Sequence, residues 1–384
     1  MDEARPLQSR LIHCTDCAPR EGVRRRGLLF GALGSAALVA CSTPAMTPTP
    51  IATVGAAAPA LNLGRGGRVD VHHHASPPQW VALGRSRGVD GLALSWSVEK
   101  SLADMDRAGV QTAMLSITTP GIVFPDMDRA TSRRLARECN EWLARLVADH
   151  PGRFGFFAAL PMLDTEGALQ EMAYALDTLH ADGIGLLTSY EDKWLGDPSF
   201  FPIMEELDRR RAVVYTHPTA ASCCRTLQPN VQPVMIEFGT DTTRTIASIL
   251  FNGNARRFRE IRWIFSHGGG TMPFLIERFV RNPILVPGSA ALFPEGVLPE
   301  LRRFYYDTAQ VPNAAALSAL TKVVPPSQIV FGTDYPYRTA LDHVQGLRAS
   351  GLFDDVTLAM IERQTPMSLL PRVRLAQEGA RPRA

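Results

Sequence analysis

"RVDVHHH", residues 68–74, is the stretch on which the reading of the whole chain turns. Two valines at alternate positions lead straight into three histidines, so a buried strand ends in side chains that can bind a metal. The same design returns in "AVVYTHP" at 212–218, "IRWIFSHGG" at 261–269 and "QIVFGTDYP" at 328–336. A histidine or aspartate closing a buried strand, repeated this often, is how a metal site is assembled at the C-terminal mouth of a (β/α)₈ TIM barrel. An α/β fold of that kind is the expectation.

Working outward, strand-like runs alternate with helix-period segments from residue 68 onward, which argues for a parallel sheet with helical crossovers. Eight strands are expected: 69–74, 110–118, 154–160, 183–189, 212–217, 261–267, 304–308 and 328–334. Between them "RATSRRLARECNEWLARLVADH" and "TEGALQEMAYALDTLHAD" space apolar residues by three and four, as helices covering a barrel do. "PSFFPIMEELDRRR", "TTRTIASILFNG" and "MPFLIERFV" follow suit. Roughly 300 residues for eight units is the usual size of such a barrel. No internal repeat and no second domain are visible, so a single catalytic domain is expected over 68–375, with a tail at 376–384.

Residues two apart on a strand share a face, so His72 and His74 are expected to point into the barrel together and His73 into the surrounding packing. H-x-H alone is a weak signal. His217 and Asp334 at other strand ends strengthen it, because a barrel core would otherwise bury several polar groups without partners. Three imidazoles and one carboxylate suit one divalent ion, Zn²⁺ first, with Mn²⁺, Fe²⁺ or Co²⁺ as substitutes that such ligands do not sharply refuse. His267 ends its strand beside the proposed ion, placed to move a proton or hold substrate; a fifth ligand or a core histidine are the other readings. Gly268-Gly269-Gly270 behind it lacks the Lys-Ser/Thr of a P-loop and the spacing of a dinucleotide fingerprint, and is read as room for substrate beside the backbone.

These motifs, "DVHHHASPP", the "HP" at 217, "SHGGG" at 266 and "GTDYPY" at 332, resemble the amidohydrolase superfamily, and within it the group of aminocarboxymuconate semialdehyde, γ-resorcylate and 6-methylsalicylate decarboxylases. The resemblance runs from 68 to about 372. It implies His72, His74, His217 and Asp334 as metal ligands, His267 as the acid/base beside the ion, and a homodimer. Two departures stand out. At the end of the fourth strand, where binuclear members carry a bridging carboxylated lysine, this chain has "GIGLLTSY" and Lys193 only in the following loop, which implies one metal. Near the C-terminus "RQTPMSLLPR" replaces a Gly-Asn-Ala segment.

The implied reaction is loss of CO₂ from a small aromatic or unsaturated carboxylic acid, with Asp334 or His267 carrying the proton; a lactone or amide hydrolase is the alternative on the same ligands, and a non-catalytic ligand-binding lipoprotein a third reading. Arg244, Trp194, Phe293, Tyr335 and Tyr337 are candidates to hold a carboxylate and stack a ring. Against this, Arg244 could simply pair with Asp241 one helical turn away, and the aromatics could pack between barrel and loops.

Composition bounds the partners. The 384 residues are 45% apolar and 20% charged, ordinary globular values. Residues 1–40 hold six Arg and four acidic residues, and without them 34 basic residues face 34 acidic ones. Such neutrality gives no electrostatic case for nucleic acid.

The N-terminal segment, 1–41, reads as targeting. Arg24-Arg25-Arg26 before the short apolar run 28–40 resembles a Tat export signal, and "LVAC" ending at Cys41 resembles a lipoprotein box that would lipidate that cysteine; cleavage nearby by an ordinary peptidase is the alternative. Residues 42–67, rich in Pro, Thr and Ala, suit a tether, which places the protein outside the cytoplasm, in the periplasm or on a membrane. Cys14 and Cys17 form a CxxC without a second pair, Cys139 reads as a core thiol, and Cys223-Cys224 as two unpaired loop cysteines, with a strained vicinal disulfide as the alternative.

Overall fold

The computed structural model describes residues 67–373 apart from 125 and 225–229. The export signal, Cys41, the CxxC, the tether before residue 67 and the tail at 376–384 lie outside the described residues.

Eight parallel strands form a nearly closed barrel: β1 Arg68–His74, β2 Val110–Ser116, β3 Phe154–Ala159, β4 Gly183–Leu187, β5 Val213–His217, β6 Arg262–Phe265, β7 Tyr305–Asp307 and β8 Ile329–Val330. Each pairs with the next in chain order, and helices separate them, the simplest way to close a parallel sheet. The seam between β8 and β1 is joined by Val71 N–H to the Phe331 carbonyl (2.9 Å), Asp334 N–H to the His72 carbonyl (2.8 Å) and His74 N–H to the Tyr335 carbonyl (2.8 Å).

Seven of the eight expected strands are shorter than their expected ranges, the eighth and the sixth most of all. The last ends at Val330 rather than 334: Phe331 N–H turns to the Ile361 carbonyl (3.0 Å), and further on Asp334 takes a left-handed backbone (φ 67°). The sixth ends at Phe265, and His267 (φ 54°) opens a tight turn. Both departures swing a polar side chain off the barrel wall and over its mouth.

The helices follow the sequence pattern. Arg129–Asp149 starts where the Asp128 carboxylate accepts from Thr131 N–H (2.7 Å), and buries Leu135, Cys139, Leu143 and Leu146 against the sheet. Each such leucine contributes about 1.5–3 kcal/mol of transfer free energy. Inside the barrel Val69, Val71, Met114, Phe157, Tyr215 and Ile264 form a separate core, closed by Met367, Leu369 and Leu370. "RQTPMSLLPR", the departure noted above, is therefore what closes the end opposite the mouth.

β1 contains the decisive irregularity. Its pairing with β2 slips between Asp70 and His73, so two residues, Val71 and His72, stand opposite Met114. Strict alternation from Val69 and Val71, both in the inner core, would send His73 inward and His72 and His74 outward. The bulge reverses this. Asp70 holds it, accepting from His72 N–H (3.0 Å), Thr333 N–H (3.0 Å), Thr333 Oγ1 (2.6 Å) and the His73 ring (3.1 Å).

Candidate metal centre

His72, His74, His217 and Asp334 each direct one ligand atom to a common point, all four atoms lying within 4.8 Å of one another. His72 Nε2 stands 3.2 Å from His74 Nε2 and 3.0 Å from Asp334 Oδ1; His74 Nε2 is also 3.0 Å from that oxygen and His217 Nε2 3.9 Å from it. Ligands about 2.1 Å from a shared tetrahedral ion lie about 3.4 Å apart, so the spacing fits one cation.

The tautomers agree. His217 Nδ1 faces the Pro218 carbonyl (2.8 Å) and His72 Nδ1 faces Asp307 Oδ2 (2.8 Å), so each must carry its proton there and present a lone pair at Nε2. His74 Nδ1 meets Ser116 Oγ (3.3 Å). Lone pairs aimed at one another and at a carboxylate, all buried, require a positive charge between them.

Protonation points the same way. Burial drives His217 down to about 3 and lowers His74. Against burial, Asp334 and Asp307 draw His72 up to about 10, so its Nε2 favours a bound cation at that point, a proton or a metal ion. Asp334 also overcomes burial, held well below the usual carboxylate range by His72, His217 and His267. The four residues can hold one divalent metal.

Asp334 divides its oxygens between two tasks. Oδ1 faces the ligand point, while Oδ2 accepts from His267 Nε2 (3.3 Å) and Gln310 Nε2 (3.0 Å). His267 thus lies outside the four-atom set, one hydrogen bond away, with its ring stacked on that of His72 (5.2 Å, 19°). His267, Gln310 and Asp334 all have left-handed backbones, φ 54°, 57° and 67°. Strain of this kind concentrates where the surroundings fix a functional geometry.

The glycines after His267 serve that turn rather than substrate, against expectation. Gly270 (φ 66°) packs so tightly that a Cβ would stand 2.0 Å from the Gly239 carbonyl oxygen, and at Gly269 (φ 78°) it would meet the Tyr306 ring at 2.9 Å.

Beside His217 and Ser116 lies a small pocket walled by Ile117, Ile122, Val123, Leu160 and Leu187. Buried Tyr215 lines it as well. Asp307, Gln310, Ser116 and Tyr215 were not singled out from sequence. Tyr215 could have been, since it lies two residues before His217 and shares its face, and so could Asp307, an aspartate that closes the expected seventh strand as Asp334 closes the eighth; Gln310 follows no such signal.

The expected substrate contacts separate. Tyr337 reaches the centre: its ring lies 5.9 Å from that of His74, its hydroxyl 3.3 Å from Thr118 Oγ1, and burial pushes its phenol up to about 12. Tyr335 turns outward and stacks on His73 (4.6 Å), whose Nε2 meets Ser101 Oγ (2.7 Å). Trp194 and Arg244 belong to a half-buried network around buried Asp241. Trp194 Nε1 donates to Asp241 Oδ1 (2.6 Å), and Arg244 lies 3.3 Å from Glu237 and 3.9 Å from Asp241.

Phe293 is placed elsewhere. It is buried against Phe251, the last residue of the helix Glu237–Phe251, about 20 Å along the axis from the end of that helix that follows the His217 loop. Cys139, Cys223 and Cys224 are free thiols. At the end of β4, Thr188 stands where a bridging lysine would be needed, and donates to Asp241; Lys193 is exposed on a two-residue hairpin strand.

The amidohydrolase family model matches residues 69–371. The chain is similar to the 6-methylsalicylic acid decarboxylase acuB of Aspergillus aculeatus, 36% identical over 330 residues that cover 82% of this chain and 99% of the relative. It is similar also to the decarboxylase macB of Penicillium terrestre, 38% identical over 285 residues, covering 70% and 84%. A solved dihydroxybenzoic acid decarboxylase of Polaromonas sp. JS666, with bound manganese and the inhibitor 2-nitroresorcinol, shares the fold: TM-score 0.69, 21% identity, 79% of this chain and 97% of that one. The chain belongs to the amidohydrolase family, and it is an enzyme of that superfamily.

Proposed function

We propose that this enzyme is a metal-dependent carboxy-lyase that removes CO₂ from a small hydroxylated aromatic acid of the 6-methylsalicylate kind. The observation that carries the reading is the divided carboxylate of Asp334, one oxygen toward the ligand point and the other hydrogen-bonded to His267. It is supported by the relatives above, decarboxylases by name.

His72, His74, His217 and Asp334 would hold the ion, which supplies positive charge to gather the substrate carboxylate and a neighbouring hydroxyl and to offset the charge that builds as the C–C bond breaks. The apolar wall of Ile117, Ile122, Val123, Leu160 and Leu187 takes the ring and its alkyl substituent, excluding water from the breaking bond. Tyr337 borders the ring beside His74. As CO₂ departs, the bonding pair stays on the ring carbon, and one proton delivered from the His267 Nε2 and Asp334 Oδ2 pair completes the arene. The proton is then restored from solvent through exposed Gln310's side of the mouth.

Zn²⁺ fits three imidazoles and a carboxylate, and Mn²⁺, held by the Polaromonas enzyme, is the competing ion; metal analysis of the purified protein decides. The test of function is CO₂ release over a panel of hydroxybenzoates including 6-methylsalicylate, against lactones and amides. CO₂ supports the reading; ring opening or amide cleavage without CO₂ overturns it in favour of a hydrolase. Export by residues 1–41 belongs to the same proposal and is tested by fractionating cells that express the full chain, with Cys41→Ser separating a lipid anchor from a cleaved leader.

A further inference from the structure

We infer that Asp307 is the positioning residue of this site: one buried carboxylate that sets the tautomer of His72 and at the same time holds the loop carrying His267. The inference rests on the roles proposed above for His72 and His267.

Asp307 ends β7 and has no solvent exposure. Oδ2 faces His72 Nδ1 at 2.8 Å; Oδ1 accepts from His267 N–H at 2.7 Å and Ala309 N–H at 3.0 Å. Each contact has a distinct consequence. A carboxylate can only accept, so His72 must keep its proton at Nδ1 and expose its lone pair at Nε2. The bond to His267 N–H anchors a residue in the left-handed region, where a side chain other than glycine is costly. Ala309 immediately precedes Gln310, the second left-handed residue that reaches Asp334. One side chain therefore ties β1, the turn after β6 and the turn after β7 to one point.

Packing shows that this approach is tightly specified. A Cβ at Gly332, on the segment after β8, would stand 2.8 Å from His72 Cβ and 3.1 Å from Asp307 Cβ. Gly332 is thus the residue that allows His72 and Asp307 to meet. A side chain there drives them apart without touching the carboxylate itself.

Two variants and one spectrum test the role. In chelator-stripped full-length protein titrated with Zn²⁺ against a chromophoric chelator, Asp307→Asn is expected to weaken binding by about 10- to 100-fold. Gly332→Ala should weaken it in the same direction. At saturating Zn²⁺ kcat of Asp307→Asn should stay depressed with KM little changed, because His267 is no longer held. The chain has nine histidines, so ¹⁵N-histidine labelling gives few signals. In the Zn²⁺-loaded wild type, His72 should appear protonated at Nδ1 and the His267 amide should exchange slowly.

Wild-type Zn²⁺ affinity in Asp307→Asn, or full recovery of kcat at saturating Zn²⁺, overturns the inference. If Asp307→Asn does not fold, the wild-type spectrum still decides: His72 protonated at Nε2, or a fast-exchanging His267 amide, also overturns it. Affinity and spectra need no substrate. Changed affinity and spectra in a protein that releases no CO₂ would support the positioning role while removing the decarboxylase reading.

Discussion

Asp334 and Asp241 are both buried carboxylates, yet their surroundings are opposite in kind. Asp241 is met by donors with protons to give: the hydroxyls of Thr188 and Ser189, the indole N–H of Trp194 and, at 3.9 Å, the guanidinium of Arg244. It is satisfied and asks for nothing more. Asp334 is met by imidazole nitrogens, of which those of His72 and His217 offer lone pairs because their protons are engaged elsewhere. That cluster is incomplete without a cation. The contrast teaches that burial and charge do not mark a site; the direction of the neighbouring protons does.

The sharpest way to break the contrast is Asp334→Asn. Losing either oxygen removes a metal ligand or the partner of His267, so CO₂ release should fall by roughly 10²- to 10⁴-fold and bound metal should drop, both measurable on one preparation. If activity and metal content survive, the two carboxylates are alike after all. Stripping the metal comes next. At a metal concentration about 100 times Kd the folded state should gain about 2.7 kcal/mol, seen as a melting temperature that falls with chelator and returns with Zn²⁺. A melting point indifferent to metal would mean that the lone pairs are satisfied some other way.

Asp241→Asn should act on stability rather than chemistry. An amide cannot accept at both ends, which leaves one donor of Thr188, Ser189 or Trp194 unpaired at a cost of about 1–3 kcal/mol in denaturant melts, with KM little changed. A large rise in KM would move Arg244 and Trp194 back to substrate binding.

The smallest effect separates the two by sign. Asp334, despite burial, has its folded value depressed by the histidines; its contribution is present above 3.8 and is lost as pH falls. Asp241, raised chiefly by burial, contributes below 3.8 and loses that contribution as pH rises. In chelated protein followed through pH 3.8, Asp334→Asn should flatten the acid limb of stability and Asp241→Asn should steepen it. Parallel shifts would contradict the opposed environments.

Much of this was legible in the chain. Four apolar runs ending in His or Asp imply strand ends, and strand ends of a parallel barrel gather at one mouth, so His72, His74, His217 and Asp334 could be named from type and position alone. Helix periodicity likewise placed Arg129–Asp149 almost to the residue. These are local properties: period, polarity and order are written along the backbone. Trp194 and Arg244 meet Asp241, and Phe293 meets Phe251, partners set by the paths of the segments between them rather than by any local period.

Two things were settled only by the tertiary structure. A bulge between Asp70 and His73 turns His72 and His74 inward, although uninterrupted alternation from the inner valines would have faced them out. The contact of Asp307 with both His72 and His267 joins three segments distant in sequence and depends on the missing side chain of Gly332. Both arise from the closing of β8 onto β1, where the ring of strands must match its own register and two chain segments compete for one space. Such a constraint exists only once the barrel closes, and no window of sequence contains it.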